Sequence, residues 1–166
     1  MEQTFIIPPF TEESAKLKVK LVEDAWNSKD PLKVAKTFTL NTVWRHRDTF
    51  IRGRKEVKNF LSTKWNNELY YQIKNELYAF TDNIMAVRFE YEYQNKDGQW
   101  YRAYGNEICE FDTNGLIQKR FASIKDLKIA ASDRKLWAQA QTVYELKKQK
   151  SMQNTWSCNS MICDRL

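Results

Sequence analysis

The clearest candidate for chemistry is His46, the chain's single histidine, which lies in the string Trp44-Arg45-His46-Arg47. On a β-strand, side chains two positions apart share a face, so Trp44 and His46 should point one way and the two arginines the other. Histidine is the side chain whose ordinary pKa suits proton transfer near neutral pH. If its face lines a cavity, His46 is predicted to transfer protons there.

The two arginines of this string, together with Arg88, are candidates for contacts with an anion or for an interface. A bulge that turned Arg45 and Arg47 inward would let them hold an anionic ligand. The alternative is that all three pair with carboxylates on the outer face of a sheet. The predicted partners are Glu90, Glu92 and Glu110.

Metal and cofactor sites are not expected from the sequence. Its cysteines, Cys109, Cys158 and Cys163, form neither a Cys-x-x-Cys pair nor a disulfide framework, and one histidine cannot complete a zinc site. Gly53-Arg54 lacks the repeated glycines of a phosphate-binding loop and is interpreted as a helix start. We therefore predict reduced thiols, no metal and no cofactor.

Length and composition predict one globular domain with an aromatic-rich interior or pocket. The chain has 166 residues, of which 42% are hydrophobic and 14% aromatic. Its net charge is +6, but the lysines are spread along the predicted helices and no aromatic-basic RNA motif is present, so nucleic-acid binding is not expected. No apolar run is long enough to cross a bilayer, and the first ten residues lack the features of a signal peptide. We expect a cytoplasmic protein that does not bind membranes.

Three helices are predicted before the main run of strands. Thr11 suits the cap of the first helix, and the pair Asp30-Pro31 supplies a cap and a first-turn proline for the second. A short strand at about Val43–Arg47 separates the second helix from the third. The predicted helices run from Thr11 to about Ser28, from Asp30 to about Phe38, and onward from Gly53.

Four long strands follow, each rich in aromatic and β-branched residues. Asn, Asp and Gly between them are typical of tight turns, which predicts antiparallel hairpins. Along the second of these strands, alternation puts Val87, Phe89, Tyr91 and Tyr93 on an apolar face and Arg88, Glu90 and Glu92 on a charged one. The predicted strands are Leu69–Phe80, Ile84–Gln94, Trp100–Phe111 and Leu116–Ile124.

The C-terminal part of the chain has a weaker pattern. Helical spacing fades between Ile129 and about Lys150, and the last residues lack periodicity and are interpreted as a mobile tail. We predict a folded domain at 1–137 and a partly helical, then flexible, extension at 138–166.

Several strings, in this order and spacing, resemble the nuclear-transport-factor-2-like superfamily, which includes scytalone dehydratase, ketosteroid isomerase and SnoaL-type polyketide cyclases. The match is to a narrower, uncharacterised family within it and covers about residues 8–137. The resemblance implies an α+β fold, a cone-shaped half-barrel in which three N-terminal helices pack on a curved antiparallel sheet. It also implies a homodimer formed through the outer sheet faces. The strings are Pro8-Pro9-Phe10-Thr11, Glu23-Asp24-Ala25-Trp26-Asn27, Trp44-Arg45-His46-Arg47, Gly53-Arg54, Lys64-Trp65, Ala86-Val87-Arg88-Phe89, Gly98-Gln99-Trp100, Tyr104-Gly105-Asn106-Glu107 and Ala122-Ser123-Ile124.

The resemblance to ketosteroid isomerase implies roles for two residues. His46 falls at the place of that enzyme's carboxylate base, and Glu107 at the place of its protonated carboxylic acid, a case in which an apolar site keeps the carboxyl neutral. The partner tyrosine is replaced by Val22, so steroid isomerisation is not expected. The residues expected to line the pocket are Trp44, Val22, Trp65, Val87, Phe89, Tyr91 and Phe111.

Two functions follow as hypotheses. The first is a small-molecule-binding protein with an aromatic cone pocket for a hydrophobic or carbonyl-containing ligand. It could be a cofactor-free lyase or isomerase in which neutral His46 removes a proton next to a carbonyl and Glu107 stabilises the oxygen. The alternative is a non-catalytic protein-interaction module of the same fold, in which His46 and Glu107 only satisfy a polar patch.

Overall fold

The computed structural model describes residues 6–137, and within this range three helices precede or interrupt the first strands. Thr11 and Ser14 form a reciprocal capping box at the start of the first helix. Asp30 caps the second helix by accepting hydrogen bonds from two backbone N–H groups, and Pro31 is the first residue of that helix. These caps confirm both predicted helix starts. The helices are α1 (Glu12–Asn27), α2 (Pro31–Ala35) and α3 (Gly53–Asn67).

Six strands in the described range form one curved sheet that does not close, in the order β2-β1-β6-β5-β4-β3. The strands are β1 (Phe38–His46), β2 (Thr49–Arg52), β3 (Leu69–Phe80), β4 (Ile84–Gln94), β5 (Trp100–Phe111) and β6 (Ile117–Ile129). A 3₁₀ turn, Ala131–Asp133, follows. The three helices pack against the sheet, which confirms the α+β fold class.

One pairing corrects the expectation of an antiparallel sheet, because β1 and β6 are parallel and the sheet is therefore mixed. After the β1–β2 hairpin at one edge, α3 carries the chain to the far edge, where β3 begins. The antiparallel meander then returns strand by strand until β6 lies beside β1. This parallel pairing is what brings β1 next to the C-terminal half of the domain.

The strand predictions were accurate where the pattern was long. The bounds of β3, β4 and β5 are those predicted, while β6 continues to Ile129. Phe38 begins β1 instead of ending α2, and the four-residue strand β2 was missed because so short a segment carries no readable alternation.

The face of the sheet that meets the helices, called the inner face here, carries the core. Val87, Phe89 and Tyr91 of β4 are buried on it and Arg88 is exposed, as predicted. The ring of Phe89 lies beneath Gly105, where an added Cβ would come within 2.2 Å of it. Only glycine fits there, so the inner face is tightly packed at this point.

The opposite or outer face is mostly open, but residues 131–137 cover one end of it. Glu92 lies on that face with 0% exposure. Its carboxylate accepts hydrogen bonds from Arg102 and from the backbone N–H groups of Lys135 and Leu136. The buried carboxylate thus fastens the end of the domain to the sheet. Within residues 6–137, no helix has the length and apolar character needed to cross a membrane.

Candidate functional site

The sheet register brings His46 and Glu107 to either side of one small residue. Ala122 of β6 pairs with His46 of β1 on one side and with Glu107 of β5 on the other. Arg120 lies two positions before Ala122 and therefore on the same inner face. All four residues are buried, so two neighbouring strand pairings assemble a polar group inside the cone.

Arg120 is the centre of this polar group. Its Nε and Nη2 atoms donate to Glu107 Oε2 at 2.8 and 2.6 Å, and Nη1 lies 3.3 Å from Nδ1 of His46. Its guanidinium also lies over the indole rings of Trp44 and Trp26, at 4.8 and 5.1 Å from the ring centres. Arg120 therefore fixes both predicted site residues in place.

His46 is held in its neutral form. Because a guanidinium only donates hydrogen bonds, Nδ1 of His46 is the acceptor and Nε2 carries the proton. Burial lowers the pKa of His46 far below its ordinary range, and the charges of Arg120, Lys64 and Arg47 lower it further. The histidine predicted to be the base is therefore a poor proton acceptor in this conformation.

Glu107 has one carboxylate oxygen that is incompletely bonded. Its Oε2 accepts from Arg120, but Oε1 has only the thiol of Cys109, at 3.7 Å, as a donor within the described range. Oε1 belongs to a side chain that lines a cavity between α1 and the sheet. The remaining lining residues include Lys18, Val19, Val22, Asn75, Met85, Val87, Cys109, Phe111 and Ile117.

The cavity is small in this structure. Its volume is about 10 Å³, the room of roughly one water molecule. Aromatic side chains fill most of the remaining interior, with Trp26 stacked on Trp44 and edge-on to Trp65. Any larger ligand must displace side chains, and Lys18 and Met85 are the unbranched, flexible ones at the cavity wall.

A second set of polar side chains runs from the surface into the interior; we call Asp126, Arg47, Tyr91, Lys64 and Glu68 the Lys64 chain. Arg47 donates to Asp126 at 2.6 Å and lies 3.2 Å from the Tyr91 hydroxyl. That hydroxyl is 3.4 Å from Nζ of Lys64, which pairs with Glu68 at 2.5 Å. Burial lowers the pKa of Lys64 and raises the pKa of Glu68.

Several buried polar atoms near these groups lack a hydrogen-bond partner within residues 6–137. They are Nε1 of Trp44, Nε1 of Trp65, the hydroxyl of Tyr71 and Oδ1 of Asn75. A buried donor or acceptor without a partner is costly, about 1–3 kcal/mol. These atoms add to the hydrogen-bonding capacity that the interior leaves unused.

The arginines predicted together behave differently. Arg45 lies toward the outer face, where it donates to Ser123, but Arg47 follows the end of β1 with a φ of 58° and turns inward to Asp126 and Tyr91. Both arginines were expected on the face opposite His46, and only Arg45 lies there. Arg88 pairs with Glu76 on the outer face, so the expected partners Glu90, Glu92 and Glu110 bind none of the three arginines through an ion pair in the described range.

The predicted lining residues divide between the cavity and the packed interior. Val22, Val87 and Phe111 line the cavity. Trp44, Trp65, Phe89 and Tyr91 belong to the aromatic packing beside it.

Sequence reasoning missed Arg120, Lys64, Glu68, Asp126 and Lys18. A signal existed for Lys64, which lies at positions i+7, i+4 and i+3 from the helix residues Val57, Phe60 and Leu61 and so shares their buried face. A similar signal existed on β6, where Arg120 and Asp126 lie at even spacings from Ala122 and Ile124 and so share their face of the strand.

Comparisons with known proteins support the fold. Residues 8–137 match the model of a family described as "Protein of unknown function (DUF1348)". Among solved structures, SalBIII, an epoxide hydrolase/cyclase-like enzyme in pyran ring formation, is 16% identical, with a TM-score of 0.62 over 69% of this chain and 92% of its own. No curated protein gave a significant sequence match.

Two further structures carry bound small molecules. RV0760c from Mycobacterium tuberculosis, in complex with estradiol-17beta-hemisuccinate, is 12% identical, with a TM-score of 0.58 over 67% of this chain and 97% of its own. A protein with a ketosteroid isomerase-like fold from Catenulispora acidiphila, in complex with trimethylamine, is 12% identical, with a TM-score of 0.57 over 63% and 82%. The fold is therefore nuclear-transport-factor-2-like.

Proposed function

The chain belongs to the DUF1348 family, and because that family has no described function, we propose one from the site itself. We propose that the protein binds a small, largely apolar carbonyl compound in the cavity beside Glu107. There it acts as a cofactor-free lyase or isomerase that removes a proton next to the carbonyl.

The observation that carries this proposal is the incompletely bonded Oε1 of Glu107. Arg120 holds the other oxygen and so orients the carboxylate, while Oε1 has only a weak thiol donor in the described range and belongs to a side chain that lines a mostly apolar cavity. A carboxylate held in this way suits proton abstraction, because its reacting oxygen is positioned without being occupied. We therefore assign the base to Glu107, in place of the predicted His46.

The other groups of the site are assigned supporting roles. Removal of a proton next to a carbonyl leaves negative charge on the carbonyl oxygen, which a nearby cation stabilises. Lys18 is the cation in the cavity wall, and its half-buried ammonium lies over the ring of Phe111 at 5.6 Å. His46 is a positioning residue, since it touches Arg120 and not the cavity lining.

The comparisons support small-molecule binding without identifying a ligand. The neighbours include an enzyme-like protein and a complex with a steroid derivative. At 12–16% identity they share the fold alone, and their ligands are not transferred to this chain.

The test is hydrogen–deuterium exchange at the carbon next to the carbonyl, followed by NMR over a panel of small apolar ketones in D₂O. The wild type should accelerate exchange for at least one ketone, and Glu107→Gln should lower the accelerated rate by about 10²–10⁴-fold. Glu110→Gln is the matched control, since Glu110 lies on the same strand and pairs with Lys119 on the outside. Equal rates in wild type and Glu107→Gln would contradict the assignment.

A second proposal concerns the outer face, where the predicted homodimer would form. Sheet register aligns Phe50, Arg45, Phe121, Ile108 and Ala86 in one row across five strands. Phe50, Phe121 and Ile108 are 73%, 39% and 53% exposed, and part of the row lines a groove of about 420 Å³. An apolar row of this kind is typical of an interaction surface.

We infer that a second copy of the chain covers this row, and the same surface would serve the alternative function of a protein-interaction module. Ile108→Glu should turn a dimer into a monomer in analytical ultracentrifugation, while Leu21→Glu, at an equally exposed position on α1, should not. A wild type that stays monomeric at about 50 μM, a concentration that reveals even weak association, would contradict the dimer. The cytoplasmic location stays a prediction.

A further inference from the structure

Lys64 is a buried amine that the proposed function does not use. Its side chain is 3% exposed, yet it lies on α3 with its amine inside the cone. The amine is 4.5 Å from the ring centre of Tyr91 and 5.2 Å from that of Tyr71. Burying a lysine ammonium is costly, and structure alone would be served as well by an apolar side chain of similar size.

The surroundings of this amine are those of a nucleophile. Glu68 Oε2 lies 2.5 Å from Nζ of Lys64, close enough to accept a proton. The Tyr91 hydroxyl lies 3.4 Å from the same nitrogen. Desolvation favours the uncharged amine, and burial lowers the pKa of Lys64 while it raises the pKa of Glu68. A proton shared by such a pair leaves a fraction of the lysine neutral, the form that attacks a carbonyl.

We propose that Lys64 forms an imine with small carbonyl compounds, most readily with 2-oxo acids, at a site distinct from the Glu107 cavity. The proposal is independent of the role assigned to Glu107. The residues of this site are Lys64, Glu68, Tyr91 and Arg47.

The chemistry balances without a further reactant. Lys64 gives one proton to Glu68, its nitrogen lone pair bonds to the carbonyl carbon, and the carbonyl π electrons move to oxygen. A second N–H proton passes to that oxygen to give a carbinolamine. The hydroxyl then leaves as water with the proton held by Glu68, and the C=N bond forms. The net change is one carbonyl and one lysine ammonium giving one protonated imine and one water, with Glu68 again a carboxylate.

The preference for 2-oxo acids follows from charge. Arg47 Nη2 and Lys64 Nζ lie 3.2 and 3.4 Å from the same Tyr91 hydroxyl, so a carboxylate bound by Arg47 would bring the neighbouring carbonyl of a 2-oxo acid close to the amine. Arg47 and Asp126 are the members of the Lys64 chain nearest to solvent, with side chains that are 31% and 29% exposed. A ligand carboxylate would compete with Asp126 for this guanidinium.

Reductive trapping tests the site directly. The full chain is incubated with glyoxylate and cyanoborohydride, which reduces an imine to a stable secondary amine, and labelled lysines are located by peptide mass spectrometry. Lys64 should be labelled at least tenfold faster than Lys58, an exposed lysine on the same helix. Asp126→Asn, which frees Arg47 for the carboxylate, should increase labelling at Lys64 and leave Lys58 unchanged.

Two controls keep the result decisive. Glu68→Gln removes the proton acceptor and should slow labelling at Lys64 without changing that at Lys58. With acetaldehyde in place of glyoxylate, the ratio of Lys64 to Lys58 labelling should fall, because the carboxylate is missing. Labelling confined to surface lysines in the folded wild type, verified by circular dichroism, would overturn the proposal even if Glu107 proves to be the base.

Discussion

Two buried arginine–glutamate pairs occupy the two faces of the same sheet, and they differ in how completely they are bonded. On the outer face, both oxygens of Glu92 accept hydrogen bonds from Arg102 and the backbone of residues 135–136. On the inner face, Arg120 binds one oxygen of Glu107, while the other meets a thiol and a cavity.

The difference separates a carboxylate that builds structure from one available for chemistry. A buried charge is tolerated when its hydrogen-bonding capacity is used, and Glu92 meets that condition through the backbone it fastens. Glu107 leaves capacity unused at Oε1, and the cavity it lines also includes Asn75, whose Oδ1 has no partner within residues 6–137. Unused capacity in a buried carboxylate is what a ligand can complete.

The largest expected loss of stability comes from breaking the outer pair, Glu92 and Arg102. Glu92→Gln should lower the free energy of unfolding by about 3–5 kcal/mol, because it leaves Arg102 buried without a counter-charge. The new amide also cannot accept both backbone N–H bonds while facing Arg102. Urea denaturation followed by circular dichroism measures the change; a loss under about 1 kcal/mol would show that the pair is not the structural one.

The next effect is a pH dependence of the unfolding free energy that comes from His46. His46 has a depressed pKa in the folded protein, so below its unfolded pKa of about 6.5 only the unfolded chain binds the proton. Stability should therefore fall with decreasing pH by about 1.4 kcal/mol per unit between pH 6 and 5 on account of this residue.

His46→Asn, a neutral side chain without that titration, isolates the contribution of His46 from those of the carboxylates. The difference in unfolding free energy between wild type and this variant should shrink as the pH falls. A constant difference across pH 5–7 would mean that His46 is accessible to protons in the native protein.

A smaller effect is expected for Glu107→Gln, the counterpart of the outer variant. The amide oxygen can still accept from Arg120, whose guanidinium also lies over the indole rings of Trp44 and Trp26. Glu107, unlike Glu92, accepts no backbone N–H bond within the described residues, so we expect a smaller loss of about 1–2 kcal/mol in urea denaturation. If this variant lost as much stability as Glu92→Gln, the two pairs would be equivalent and the contrast between them would disappear.

The smallest effect should come from an exposed pair that calibrates the others. Arg88 and Glu76 lie 3.2 Å apart with 60% and 64% of their side chains exposed. Glu76→Gln should change the unfolding free energy by less than about 0.5 kcal/mol, because water screens the pair. A larger change in the same denaturation assay would show that charge substitutions on this sheet have effects beyond the pair itself.

Local patterns made most of the fold readable. Thr11, Asp30 and Pro31 marked helix starts, and the alternation around Phe89 was enough to identify the inner face of β4. The family resemblance added His46 and Glu107 as a pair. Arg120, which joins them, was missed because a single basic residue in a strand is normally interpreted as a solvent-facing one.

The sequence by itself determined the three helices, the long strands and the apolar face of β4, because these follow from spacing along a few consecutive residues. The tertiary structure decided which charges are buried and with whom. His46 and Arg120 meet only through the parallel β1–β6 pairing, and Glu92 is buried only because residues 131–137 fold back over it. Such contacts join residues far apart in the chain, and their energy depends on register and on the exclusion of water, which no local period encodes.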